Sequence, residues 1–136
     1  MSCFWEGNLQ ALRQKTIYLR RHNIIIPNNM NVEGFAKWIQ NYAIPTYGIL
    51  CNGQMLTNKQ ITENLEWVKS YNVKDVYQGY YCSTFDPFLF LIAQLFRVNI
   101  EHNYDGVLIR YQNMNYGAET IKVSSSKTHF KNEMYW

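Results

Sequence analysis

Residues 86–111 read DPFLFLIAQLFRVNIEHNYDGVLIRY, and this stretch decides the fold. Asp86-Pro87 is a helix start: Asp86 can cap the first open amides, and Pro87 suits a first turn in which no N–H is needed. From Phe88 to Phe96 the residues are apolar on nearly every side, which predicts a central, buried helix. Val98, Ile100, His102 and Tyr104 then alternate with Asn99, Glu101 and Asn103, the period of a half-buried strand. Asp105-Gly106 is a strong hairpin signal, and Val107 to Tyr111 supplies the returning strand.

The chain before this stretch reads as helical. From Cys3 to His22, Phe4, Leu9, Leu12, Ile17 and Leu19 fall near helical spacing, and Pro27 prevents an early restart. A second helix is expected from Asn31 to Tyr42, capped by Asn31, with Val32, Phe35, Ala36 and Ile39 on one face. Pro45 and Gly48 mark a loop. Thr57 caps a third helix striped by Ile61, Leu65 and Val68, and Gly79 to Cys82 reads as extended or loop. At the other end, Ile121 and Val123 lead a last strand expected to run on towards His129 and Phe130. Helices first and a mostly antiparallel sheet last make an α+β arrangement.

A chain of 136 residues, 47% hydrophobic and 16% aromatic, is long enough for one core and short for two. One domain spanning 1–136 is therefore expected. The apolar run 88–96 is far shorter than the roughly 20 residues a membrane span requires, and the N-terminus lacks a basic region followed by an apolar stretch. Neither a membrane protein nor a secreted precursor is expected. Cys3, Cys51 and Cys82 are odd in number and form no CxxC pair, so neither a disulfide framework nor a zinc site of usual spacing is on offer. Reducing, cytoplasmic surroundings follow as the expectation. The net charge of +3 is mild, and the one dense basic cluster is Arg13, Lys15, Arg20 and Arg21.

Two residues at opposite ends carry the functional reading. Cys3 opens a helix and His129 lies late in a strand, and a thiol protease needs such a pair close in the fold without needing it close in sequence. Around them, Cys3-Phe4-Trp5-Glu6-Gly7, then Leu12-Arg13-Gln14-Lys15 and Tyr18-Leu19-Arg20, resemble the nucleophile helix of the ovarian-tumour (OTU) family of cysteine proteases, which remove ubiquitin and related modifiers. Leu91-Ile92-Ala93-Gln94-Leu95-Phe96-Arg97-Val98-Asn99-Ile100 is similar to that family's buried helix and following strand, and His129-Phe130 to its catalytic His and the aromatic after it. In order, the likeness covers nearly the whole chain. The family's Asp-Gly before the nucleophile has no counterpart in Met1-Ser2, Asn8 stands at a usually apolar helix position, and Lys131 stands where many members carry the residue that orients the histidine.

The resemblance implies a papain-like OTU fold, with N-terminal and central helices packed on a small, mostly antiparallel sheet. It implies Cys3 as nucleophile and His129 as general base, with ubiquitin or a ubiquitin-like modifier and its conjugates as partners and no cofactor or metal. Asn132 is the nearby candidate for orienting His129, but it would need a β-bulge to share its face, and Glu133 is roughly 13 Å along the strand, so either a Cys3–His129 dyad or an orienting group from elsewhere is expected. Gly79, Tyr80, Tyr81 and Phe130 are candidate walls for the modifier's C-terminal tail. The small size resembles viral or other minimal members, some of which also cut polyproteins.

Other readings stay open on the residues alone. Cys82 precedes the Asp86 helix and could be a nucleophile at its entrance, whereas Cys51, beside Asn52-Gly53, is expected to be an exposed, passive loop thiol. His22 at a helix end and His102 in a strand have ordinary structural roles. A catalytically silent OTU-like module that binds ubiquitin or another protein is one alternative. A nucleic-acid-binding domain using the basic cluster is another.

Overall fold

The structure, a computed structural model, describes residues 3–80, 82–114 and 117–125, and the backbone of 130–132. In chain order the elements are α1 (Cys3–Arg13), α2 (Thr16–Arg21), α3 (Val32–Asn41), β1 (Ile49–Cys51), β2 (Gln54–Met55), α4 (Asn58–Ser70), a 3₁₀ turn (Val73–Tyr77), α5 (Pro87–Phe96), β3 (Asn99–Tyr104), β4 (Val107–Asn113), β5 (Thr120–Ser125) and β6 (Phe130–Asn132). The strands form a sheet of order β2-β1-β4-β3-β5-β6. β3 and β5 run parallel and the other neighbours antiparallel. The architecture is α+β.

α5 is the centre of the molecule. Asp86 accepts hydrogen bonds from the amides of Phe88 (2.9 Å) and Leu89 (3.3 Å), Pro87 takes the first turn, and the apolar residues that follow are nearly all buried. The helix packs on β1, β3 and β4 and against α3 and α4. At its end Arg97 adopts the left-handed conformation (φ 55°), and the chain turns directly into β3. β3 and β4 are joined by Asp105 and Gly106, both with positive φ, which is the turn whose twist matches a hairpin.

Burial alternates along β3, β4 and β5, so one face of the sheet is covered and the other meets water. On the open face Glu101 and Arg110, opposite each other across the β3–β4 ladder, form an ion pair at 3.8 Å. On the covered face α1 packs against β5 and β6. Trp5, Phe35, Phe88 and Phe96 join α1, α3 and α5 in one hydrophobic core. α3 and α4 begin where expected: Asn31 accepts from the Gly34 amide, and Thr57 and Gln60 form a reciprocal capping box.

Three expectations are corrected. The single helix from Cys3 to His22 is two helices, broken at Gln14-Lys15, where the Thr16 hydroxyl donates to the Arg13 carbonyl at 2.7 Å. The break rephases the chain, so Tyr18 and Leu19 are buried while Ile17, expected on the apolar stripe, is 72% exposed. The loop expected after Pro45 contains a hairpin, β1–β2, turned by Asn52 (φ 49°) and Gly53 (φ 80°) and tied to β4 by Asn52 Oδ1, which accepts from the Arg110 amide at 2.8 Å. The last strand is likewise two: β5 and β6 pair antiparallel, Ser125 opposite Phe130 and Val123 opposite Asn132, so the chain reverses between Ser125 and Phe130. Ser124-Ser125-Ser126 interrupts the apolar alternation there with residues that favour turns.

Candidate active site

α1 fixes the position of Cys3. Phe4 and Trp5 anchor the first turn in the core at 1% and 0% exposure, and Cys3, half-buried, packs against the same core from the helix N-terminus. The positive end of the helix dipole lies at such a position. α1 is adjacent to β6, whose first residue, Phe130, follows His129 in the chain. The helix that starts at Cys3 and the strand that starts one residue after His129 are thus packed neighbours.

His129 and Tyr81 lie outside the described residues, as do the side chains of Phe130 and Asn132. The backbone register is informative on the orienting residue: pairing from Phe130 through Lys131 to Asn132 is regular. The described part of the ladder, 130–132, contains no bulge; the step from His129 to Phe130 lies outside the described residues.

The other thiols are held neutral. Cys51 was expected in an exposed loop; it lies in β1 at 5% exposure, and burial pushes its thiol up to about 11. Cys82 is half-buried beside Asp86, and burial and then the neighbouring carboxylate push its thiol far above the ordinary range. Neither environment supports a thiolate.

Gly79 and Tyr80 sit at the helix entrance. The Tyr80 ring lies 4.3 Å from Phe4, and its hydroxyl donates to Asp86 Oδ2 at 2.7 Å. The same Asp86 oxygen accepts from the Ser83 amide at 3.0 Å, and the Asp86 amide donates to the Tyr111 hydroxyl at 2.9 Å. Burial pushes the Asp86 carboxyl up, while its hydrogen bonds from Ser83, Tyr80, Phe88 and Leu89 oppose that shift. This network, which the sequence suggested only as a helix cap, ties Tyr80 and Ser83 to the start of α5 and, through the Tyr80 ring, to Phe4 of α1. A Ser83-x-x-Asp86 spacing ahead of Pro87 was its available signal.

The chain matches no protein-family model, no curated protein and no solved structure. The remaining histidines lie on other elements. His102 is fully buried on β3, its Nε2 2.6 Å from Ser125 Oγ, and burial lowers its pKa to about 4. His22 ends α2, its Nδ1 3.3 Å from Arg97 Nη1 and its ring packed on Tyr18. Among the described residues no group of His, Cys, Asp and Glu could hold a metal ion, and no helix is long and apolar enough to cross a membrane.

Proposed function

We propose that this chain is a compact OTU-like cysteine protease that hydrolyses the isopeptide or peptide bond at the C-terminus of ubiquitin or a ubiquitin-like modifier. The observation that carries the reading is the packing of α1, which begins at Cys3, on β6, which begins directly after His129. A nucleophile and a base separated by nearly the whole chain are thereby attached to neighbouring elements. The neutral states of Cys51 and Cys82 favour Cys3 over the other thiols.

The chemistry follows from these positions. The Cys3 thiolate attacks the scissile carbonyl, and backbone N–H groups of the first turn of α1 receive the oxyanion. His129, having taken the thiol proton, returns it to the leaving amine. The C–N bond breaks and a thioester to Cys3 remains. His129 then takes a proton from water, the hydroxide attacks the thioester, and the thiol is restored. These steps need only the Cys3–His129 pair, and an orienting group for His129 from Asn132 or from elsewhere in the fold would complete a triad. Gly79 and Tyr80 are assigned as walls of the channel for the modifier's tail, a reading supported by the Tyr80 ring against Phe4 at the start of α1.

Turnover of ubiquitin carrying a fluorogenic C-terminal amide tests the activity. Cys3→Ala should abolish release of the fluorophore, and Cys82→Ala should leave most of it. Equal activity in the Cys3→Ala variant, or none in the folded wild-type chain, would refute the enzyme reading.

A further inference from the structure

The two most exposed large apolar side chains among the described residues, Ile17 at 72% and Ile25 at 67%, flank the chain's densest cluster of arginines. On α2, Arg20 and Arg21 lie three and four residues after Ile17 and so share its surface. Beside them is a cleft of about 200 Å³ whose lining combines the aliphatic Leu19, Ile24 and Ile26 with the exposed Arg13 and Arg20. Among the described residues no carboxylate lies within 4.0 Å of Arg13, Arg20 or Arg21. An apolar face of this kind, edged by Arg20 and Arg21 with no carboxylate partner among the described residues, is complementary to an acidic and aliphatic partner.

We infer that this face docks an acidic segment of a partner protein, with a Leu, Ile or Val side chain entering the cleft and Asp or Glu side chains meeting Arg20 and Arg21. A nucleic acid fits the same face less well. Of the four basic residues of the cluster, Lys15 is paired with Glu119 at 3.1 Å, and Arg13 donates to the carbonyls of Pro27, Asn28 and Met30. The exposed apolar groups here are isoleucines, which cannot stack on bases; the exposed aromatics Tyr42, Tyr47, Trp67, Tyr77 and Phe85 belong to other segments. The face begins at the far end of α1 from Cys3, roughly 15 Å away along the helix. It can therefore hold a partner while the Cys3 end stays open, and it is independent of the proposed chemistry there.

Short random peptides displayed on phage, selected on the folded chain, test the inference. Enriched peptides should combine Asp or Glu with an aliphatic residue. Fluorescein-labelled copies should bind by anisotropy with an affinity that falls as salt rises, and falls about tenfold or more in Ile25→Ser and in the double variant Arg20→Glu/Arg21→Glu. All three substituted residues are exposed, so an unchanged melting temperature separates lost binding from lost fold. The proposal is overturned if nothing is enriched, if the enriched peptides lack acids, if either variant binds them as well as the wild type, or if an oligouridine binds this face more tightly than any of them.

Discussion

Among single residues, His102 makes the sharpest statement about acid. It is fully buried and bonded to Ser125, and burial lowers its pKa from 6.5 to about 4. Between those values the unfolded chain binds a proton that the folded chain refuses, so stability falls as the pH drops from 6.5 towards 4 and the effect levels off below. With about 1.4 kcal/mol per unit, the loss is about 3 kcal/mol. Urea unfolding of wild type and His102→Phe should show their difference in stability shifting by that amount in favour of the variant on acidification across this window. A difference that stays constant with pH would show that His102 is not the group responsible. Asp86 works at the same scale by another route, since one buried carboxylate satisfies amide and hydroxyl donors from both sides of the α5 entrance.

Among elements, α5 shows how much of a fold can be read in advance. Its cap, its proline and its all-round apolarity each point to a buried helix, and Asp105-Gly106 demands a hairpin after β3, so local preference and global packing agree there. Where they diverge the sequence misleads. β1 and β2 span three and two residues, too short to show a period, so Asn52-Gly53 reads as loop and Cys51 as exposed. The α1–α2 break carries a side-chain hydrogen bond from Thr16 to the Arg13 carbonyl, a competitor to helix continuation that apolar spacing does not register. The start of α1 at Cys3 is legible because Phe4 and Trp5 need a core, whereas the adjacency of α1 to β6 depends on the β5–β6 reversal, which apolar alternation conceals. The end of α5 carries a prediction of its own. Arg97 holds a left-handed conformation that glycine adopts without strain, so Arg97→Gly should stabilise the protein by about 1 kcal/mol and raise Tm by about 4 °C. A lower Tm would mean that the contact of the Arg97 guanidinium with His22 outweighs the backbone strain.

At the scale of the molecule, one sheet face is covered by helices, and α1 runs from the proposed catalytic end to the proposed docking face. The helix packs on β6, its N-terminus carries Cys3, and its C-terminus leads into the arginine and isoleucine face of α2. The core that holds this together is continuous from Trp5 through Phe88 to the sheet, so the position of Cys3 is set by the packing of the whole chain. The central claim is that this packing makes Cys3 and His129 a working pair. Incubating the folded protein with ubiquitin bearing an electrophilic C-terminus, and mapping the adduct by peptide mass spectrometry, tests it most directly. The account predicts one covalent adduct on Cys3, absent in Cys3→Ala and strongly slowed in His129→Ala. An adduct on Cys51 or Cys82, an unchanged rate in His129→Ala, or no adduct on the intact folded chain would contradict it.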